Sequence, residues 1–382
     1  HHGVMAQFLW FDRGPDQQGR LLLIVHHLVM DGVSLRVLLA DLVVCYEALA
    51  GGRSPDPQVV PVSFRHWARA LAAQAGSPER RAELPQWISV VSDTNPLTVL
   101  APDVPDGARH EVTATVPADV TSTILTAAPA AFHAEINDIL LATLVTALSA
   151  WSRRHGRADP RDFLIDVESH GRVPLSPTMD LSRTVGWFTE QHPVRLSADA
   201  ADLAGVRAGG VAAGRIVKRA KEELRAVPGD GLGYGILRFL DPETSPVLAA
   251  LPSARIGFNY LGRLPEAADP APDWGRVPDG DGYTDTSGAI PAAHSLEVLG
   301  LVRDGAASSV LTLVLAAPRL MVAEAELRSL AGDWAAALSG LARHVSRPGS
   351  GGHTPSDFSL IKLSQRQIDK LEGAFSNEGV VQ

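Results

Sequence analysis

With 382 residues, 45% of them hydrophobic and 20% charged, the chain has material for two or three domains and a large buried core, which excludes a disordered polymer. A net charge of −9 argues against a general nucleic-acid binder, because phosphate contacts need clustered Lys and Arg. The one cysteine excludes a disulfide framework and a Cys-based zinc site. No apolar run reaches the roughly 18–20 residues of a membrane span, and no signal peptide opens the chain, so a soluble, cytoplasmic, globular protein is expected.

His1 and His2 read as the remnant of a purification tag. Residues 4–13 (VMAQFLWFDR) and 21–30 (LLLIVHHLVM) are apolar, β-rich runs around the turn GPDQQG, which predicts adjacent strands, half or fully buried. Asp31-Gly32 makes a sharp turn, after which Ser34 is placed to cap a helix. Leu38, Leu39, Leu42, Val43, Tyr46 and Leu49 keep helical spacing as far as Gly51-Gly52, with Cys45 as a small packing residue. A Pro-rich link (54–63) leads to a second helix carrying Phe64, Trp67 and Leu71, and the Pro- and Asp-rich residues 95–109 mark a lobe boundary. HEVTATV (110–116) alternates like a strand, Ile136 to Trp151 forms a strong helix, and DFLIDVES (162–169) is a buried strand delivering Glu168 at its end. KRAKEELRAV (218–227) is an amphipathic helix stopped by Pro228-Gly229. Strands follow at 254–262, 294–302 and 308–317, then a helix at 323–345 and a polar tail with one amphipathic stretch. Strand and helix patterns intermix throughout, so the class is α/β or α+β.

Two segments concentrate chemistry. The first is His26-His27-Leu28-Val29-Met30-Asp31-Gly32. Neighbours on a strand point to opposite faces, so one histidine is expected to aim into a cleft while the other faces the interior, held by hydrogen bonds. Asp31 is placed to fix the turn through backbone amides or an arginine. No HExxH or comparable pattern accompanies the pair, so a metal site is not expected. The second is Glu168-Ser169-His170-Gly171-Arg172, a carboxylate at a strand end followed by a turn. Its bland reading is a Glu168–Arg172 clamp. Sequence distance alone does not bring Glu168 to His27.

HHLVMDGVSLR (26–36) resembles the core motif of nonribosomal peptide synthetase condensation and epimerization domains, and DGVS in place of DGWS leans towards epimerization. VESHGR (167–172) resembles that family's EGHGR segment, and DLSRTVGWFTEQHPVRL (180–196) its DLSRTVGWFTS-like stretch. GDGLGYGILRFL (229–240), IGFNYLGR (256–263) and HTPSDFSL (353–360) resemble, in order, its GIGYGLLRYL, FNYLG and closing segments. Ser169 stands where the family usually has Gly, and Leu35 where a Trp commonly follows DGVS.

The resemblance implies a two-lobed, V-shaped fold similar to chloramphenicol acetyltransferase, with an active-site tunnel between the lobes. Residues 3–108 would form a partial N-terminal lobe, because only 25 residues precede His26 where the family has a long stretch. Residues 109–350 would form the C-terminal lobe and 351–382 the exit segment; any arginine partner of Asp31 from the missing stretch would then be lost. The implied activity is inversion of the α-carbon of an aminoacyl or peptidyl group, held as a thioester on the phosphopantetheine of a peptidyl carrier domain. Adjacent synthetase modules would be partners, with neither nucleic acid nor membrane. A thioester acidifies the α-hydrogen, so no intrinsic cofactor is expected. His27 and Glu168 would be the acid–base pair. His26, Asp31, Gly32 and Arg172 would hold the motifs, and Ser34, Asn259 and Tyr260 would line the tunnel. A protonated His27 or Tyr260 would donate to the enolate. A condensation domain using the same histidine, or an inactive recruitment domain, are the competing readings.

Overall fold

Eight strands in two sheets form among the described residues of the computed structural model, which cover 3–92, 108–155, 162–198, 202–265, 274, 293–304 and 308–377. Strands β1 (Ala6–Phe11) and β2 (Arg20–Val25) form an antiparallel pair, with Ala6 opposite Val25 and Phe11 opposite Arg20. The larger sheet comprises β3 (Arg109–Val116), β4 (Asp162–Ser169), β5 (Glu190–Ser197), β6 (Ile256–Pro265), β7 (Leu296–Asp304) and β8 (Ser309–Pro318). Its order is β3-β8-β7-β6-β4-β5, with β4, β6 and β7 mutually parallel in the middle and antiparallel pairings elsewhere.

One face of this sheet is apolar because the strands alternate. Phe163, Ile165 and Val167 of β4, Ile256 and Phe258 of β6, and Leu311, Leu313 and Leu315 of β8 are all buried in one core. They pack beneath the helices Ile136–Arg154, Val211–Arg225 and Glu324–Val345. The indole of Trp334 donates to the Leu140 carbonyl (3.2 Å), so even the polar atom of this core side chain is satisfied. The intervening residues Asp166 and Glu168 therefore lie on the other face, away from the helices. That alternation positions the site.

The helices Phe64–Gln74 and Leu84–Ser92 lean on the six-stranded half. Trp67 packs on Phe188 (4.7 Å between ring centroids), Arg80 makes a two-pronged pair with Asp230 (2.8 Å), and Arg81 reaches Asp241 (2.7 Å). The expected boundary at 95–109 lies almost wholly outside the described residues, with β3 starting at Arg109. Behind the closing helix, Lys221 is buried and donates to the Phe132 carbonyl (3.0 Å) and both Asp357 oxygens (2.6 and 2.7 Å). The TPSDF stretch is thus pinned to the core. Among the described residues no single helix is long and apolar enough to cross a membrane.

One expectation needs correction. β1 is exposed along its whole length and β2 alternates between exposed and half-buried, where both were expected half or fully buried. No second layer covers this strand pair among the described residues, so Phe8, Phe11, Leu22 and Ile24 keep contact with solvent. The helix Gly32–Ala50 has the expected apolar spacing, yet only Ser34 and Ala48 are buried.

Candidate active site

The paired strand ends at Val25, and this changes the histidine pair. His26 caps a single 3-10 turn, His27–Val29, its Nδ1 accepting the Leu28 amide (3.1 Å). Both histidines are exposed, so the expected inward-facing partner does not exist: two-residue alternation stops where the strand stops. His27 instead sets its ring edge-on to Trp187, 5.5 Å between centroids. His170 repeats the device of His26, its Nδ1 accepting the Arg172 amide (3.0 Å).

Asp31, not Ser34, caps the following helix, its Oδ1 accepting the Ser34 amide at 2.7 Å. Ser34 lies inside the first turn, fully buried. Its hydroxyl donates to the Gly186 carbonyl (2.8 Å) and accepts the Gly186 amide (3.0 Å), joining two segments as a strand neighbour would. Gly32 opens that helix with free space around its Cα.

Arg172 is the other half of the joint. It donates to Asp31 Oδ1 (2.9 Å), Ser34 Oγ (2.9 Å) and the carbonyls of Leu181 (3.0 Å) and Thr184 (2.7 Å), with its guanidinium 4.3 Å above the Phe188 ring. Asp31 Oδ2 accepts the Phe188 amide (3.2 Å). Burial pushes the Asp31 carboxyl up, but hydrogen bonds from Ser34 and Arg172 outweigh it and hold it below the ordinary carboxylate value. Asp31 therefore has its arginine within this chain, and the alternative Glu168–Arg172 clamp is not made.

Arg172 reaches Asp31 because Gly171 takes φ +60°, with a Cβ there falling 1.7 Å from the Phe188 carbonyl oxygen. Gly171→Ala should lose at least the roughly 1–2 kcal/mol of the left-handed penalty, and more from the backbone clash. Gly32→Ala, at a helical position with open space, should stay within about 1 kcal/mol of wild type. Thermal melting of both variants checks the contrast, and equal stability would contradict it.

Glu168 is half-buried at the end of β4, and its Oε2 accepts from Asn259 Nδ2 on β6. Burial pushes its carboxyl up and the Glu297 charge adds to this, while His294 and His27 pull it down. His27 thus acts electrostatically on Glu168 although they come from different segments of the chain. Tyr260 is not part of this grouping. It follows Asn259 on the strand, so its ring packs with the helix-side core, where burial pushes its hydroxyl up. Ser169 likewise points away from Glu168's face and donates to Glu190 Oε1 (2.7 Å), itself paired with His192 Nδ1 (2.9 Å).

Beside Glu168 sits a group the sequence reading missed. His294 Nε2 meets Asp166 Oδ2 at 2.9 Å and Nδ1 meets Glu297 Oε1 at 3.3 Å. Burial opposes the charge on this imidazole, but the two carboxylates outweigh it and raise its pKa to about 9. Asp166 was legible as the residue two before Glu168, hence on the same face; His294 and Glu297 carried no local signal, and Trp187 lay within the 180–196 motif without being assigned a role.

A central mixed sheet with helices on one face, and an HHxxxDG turn tied to an ESHGR turn on the other, define a chloramphenicol acetyltransferase-like domain of the condensation type. The condensation domain family model matches residues 7–273, and the chain belongs to that family. It is 35% identical to one component of the linear gramicidin synthase of Brevibacillus parabrevis over 97% of this chain, and spans 7% of that relative. Against tyrocidine synthase 2 of the same organism it is 30% identical over 97% of this chain and 10% of the relative. The crystal structure of the epimerization domain from the third module of tyrocidine synthetase B is similar at TM-score 0.69 and 27% identity, covering 90% of this chain and 73% of that one. The first condensation domain of the CDA synthetase shares the fold at TM-score 0.53 and 17% identity, over 90% and 68% of the two chains.

Proposed function

We propose that this domain inverts the α-carbon of an aminoacyl or peptidyl group presented as a thioester on the phosphopantetheine arm of a peptidyl carrier domain of a nonribosomal peptide synthetase. The observation that carries this reading is Glu168, a carboxylate raised by burial, oriented by Asn259 and acted on electrostatically by His27 from another segment. The thioester carbonyl acidifies the α-hydrogen. A carboxylate of raised basicity removes it from one face, and an imidazolium returns a proton to the other. Between the two steps the enolate oxygen needs a donor, and His27 in its protonated form supplies that charge. Trp187 fixes the imidazole ring from the side. The stronger likeness to an epimerization domain than to a condensation domain supports the same reading.

The test loads an L-aminoacyl thioester onto the carrier of the synthetase module that holds this domain. Chiral analysis of the hydrolysed residue should give an L/D mixture. Pure L residue, with an amide formed to a second loaded carrier, would assign condensation instead; pure L with neither reaction would leave only a docking role.

A further inference from the structure

Strands β4, β6 and β7 stack their residues in rows. In one row Asp166 stands beside Gly257, and Gly257 beside Glu297. Two residues further along lies the row of Glu168 and Asn259, about 7 Å away by strand rise. Glycine at the centre of the first row leaves a trough. A Cβ on Gly257 would come within 2.4 Å of His294 Nδ1 and 2.9 Å of Glu297 Oε2, so the imidazole lies in the space that a side chain would fill. There it bridges Asp166 and Glu297. Arg109 of β3 reaches the carbonyl of His294 (3.3 Å), holding the residue at the head of β7.

Three carboxylates, Asp166, Glu168 and Glu297, therefore share one half-buried face of the sheet. Like charges at this range oppose one another's ionisation, and a buried carboxylate without a cation is costly. The groups that bear on His294 are Asp166 and Glu168 of β4 and Glu297 of β7. Tyr234 is coupled to Asp166, His27 approaches from the turn, and the Arg109 guanidinium touches only the backbone. His294 is the cation at the centre of this set.

We propose that His294 is a positioning residue for Glu168: seated over Gly257, its imidazolium supplies the fixed positive charge that offsets Asp166 and Glu297 beside the base. This deepens the epimerization reading and rests on it only for the role of Glu168. A raised folded-state pKa of about 9 also gives a sign for stability. The contribution of His294 is fully present below its unfolded value near 6.5, and is lost as pH rises through 9.

The experiment follows the Glu168 carboxyl by carbon-13 NMR in glutamate-labelled protein, assigned with Glu168→Gln, across wild type, His294→Gln, Glu297→Gln and the double variant. The midpoint should move to higher pH in His294→Gln, to lower pH in Glu297→Gln, and back towards wild type in the double variant. Where exchange of the substrate α-hydrogen is measured, its acidic limb should move in the same directions. A purely steric role predicts one direction for both single variants, and that result, or no movement in either, overturns the proposal. If His294→Gln does not fold, wild type decides alone: the Glu168 carboxyl signal should show a second inflection near pH 9, where His294 loses its charge, and a signal that stays flat there sinks the proposal. Carboxyl midpoints that respond as described in a protein that never exchanges the α-hydrogen would fail the epimerization reading and leave this one standing.

Discussion

Glu168→Gln should lower net inversion of a carrier-bound aminoacyl thioester by about 100–10,000-fold, and His27→Ala by a similar factor, the range typical of a general acid–base residue. Glutamine keeps the shape that receives the Asn259 amide but has no basic oxygen, so the loss reads proton transfer rather than packing. His27 is exposed and sets its ring against Trp187 alone among the described aromatic residues, so its removal should leave melting close to wild type. Deuterated solvent separates the two faces. If each group serves one face, one variant still washes label into the L substrate and the other into the D substrate. Loss of all exchange from both isomers in both variants would point to a single base, with the second group stabilising the enolate. Full activity of Glu168→Gln would remove the carboxylate from the mechanism.

Breaking the Asp31–Arg172 joint should be the most destabilising polar change near the site. Both side chains are nearly buried, at 5% and 8% exposure. Arg172→Met strands Asp31 and leaves the Leu181 and Thr184 carbonyls without their donor, which costs about 3–5 kcal/mol as for other broken buried pairs. Asp31→Asn keeps an acceptor for the Ser34 amide and should cost less, about 1–3 kcal/mol. Because the folded-state Asp31 carboxyl is held below its ordinary value of 3.8, its stabilisation is present above that pH and lost as pH falls through the lower, folded value. Acid unfolding of wild type and Asp31→Asn should therefore converge towards the acid end. A variant that melts as wild type yet has lost exchange selectively would make Asp31 a proton-transfer group instead.

Much of this was legible in the chain. β3, β4, β6, β7 and β8 follow two-residue alternation, and Ile136–Arg154 follows helical spacing, because one apolar face of each must be covered. Glu168 and the Asp31 turn were readable as polar residues placed where packing does not ask for them, whereas Asn259 came from the family resemblance alone. The pairing of Arg172 was not. Glu168 is four residues away from it, Asp31 is 141, and only the tertiary path of the 172–188 loop decides between them. The strand expected over 21–30 ends at Val25, so two-residue alternation does not govern His26 and His27. β5 escaped notice since EQHPVRLS has no clean alternation and a proline within it, tolerated at a sheet edge. His294 is invisible locally: its meaning comes from Gly257 and Asp166, on strands far apart in sequence.

The row of Asp166 and Glu168 has a consequence for which length changes this chain tolerates. Strand side chains invert with every residue, so a single insertion between Asp162 and Asp166 would swing both carboxylates into the layer that Phe163, Ile165 and Val167 now fill. The same insertion in the loop between β1 and β2 moves nothing that bears on Glu168. Viable indels in this chain should therefore cluster outside β4, β6 and β7, and those three segments should vary by substitution alone.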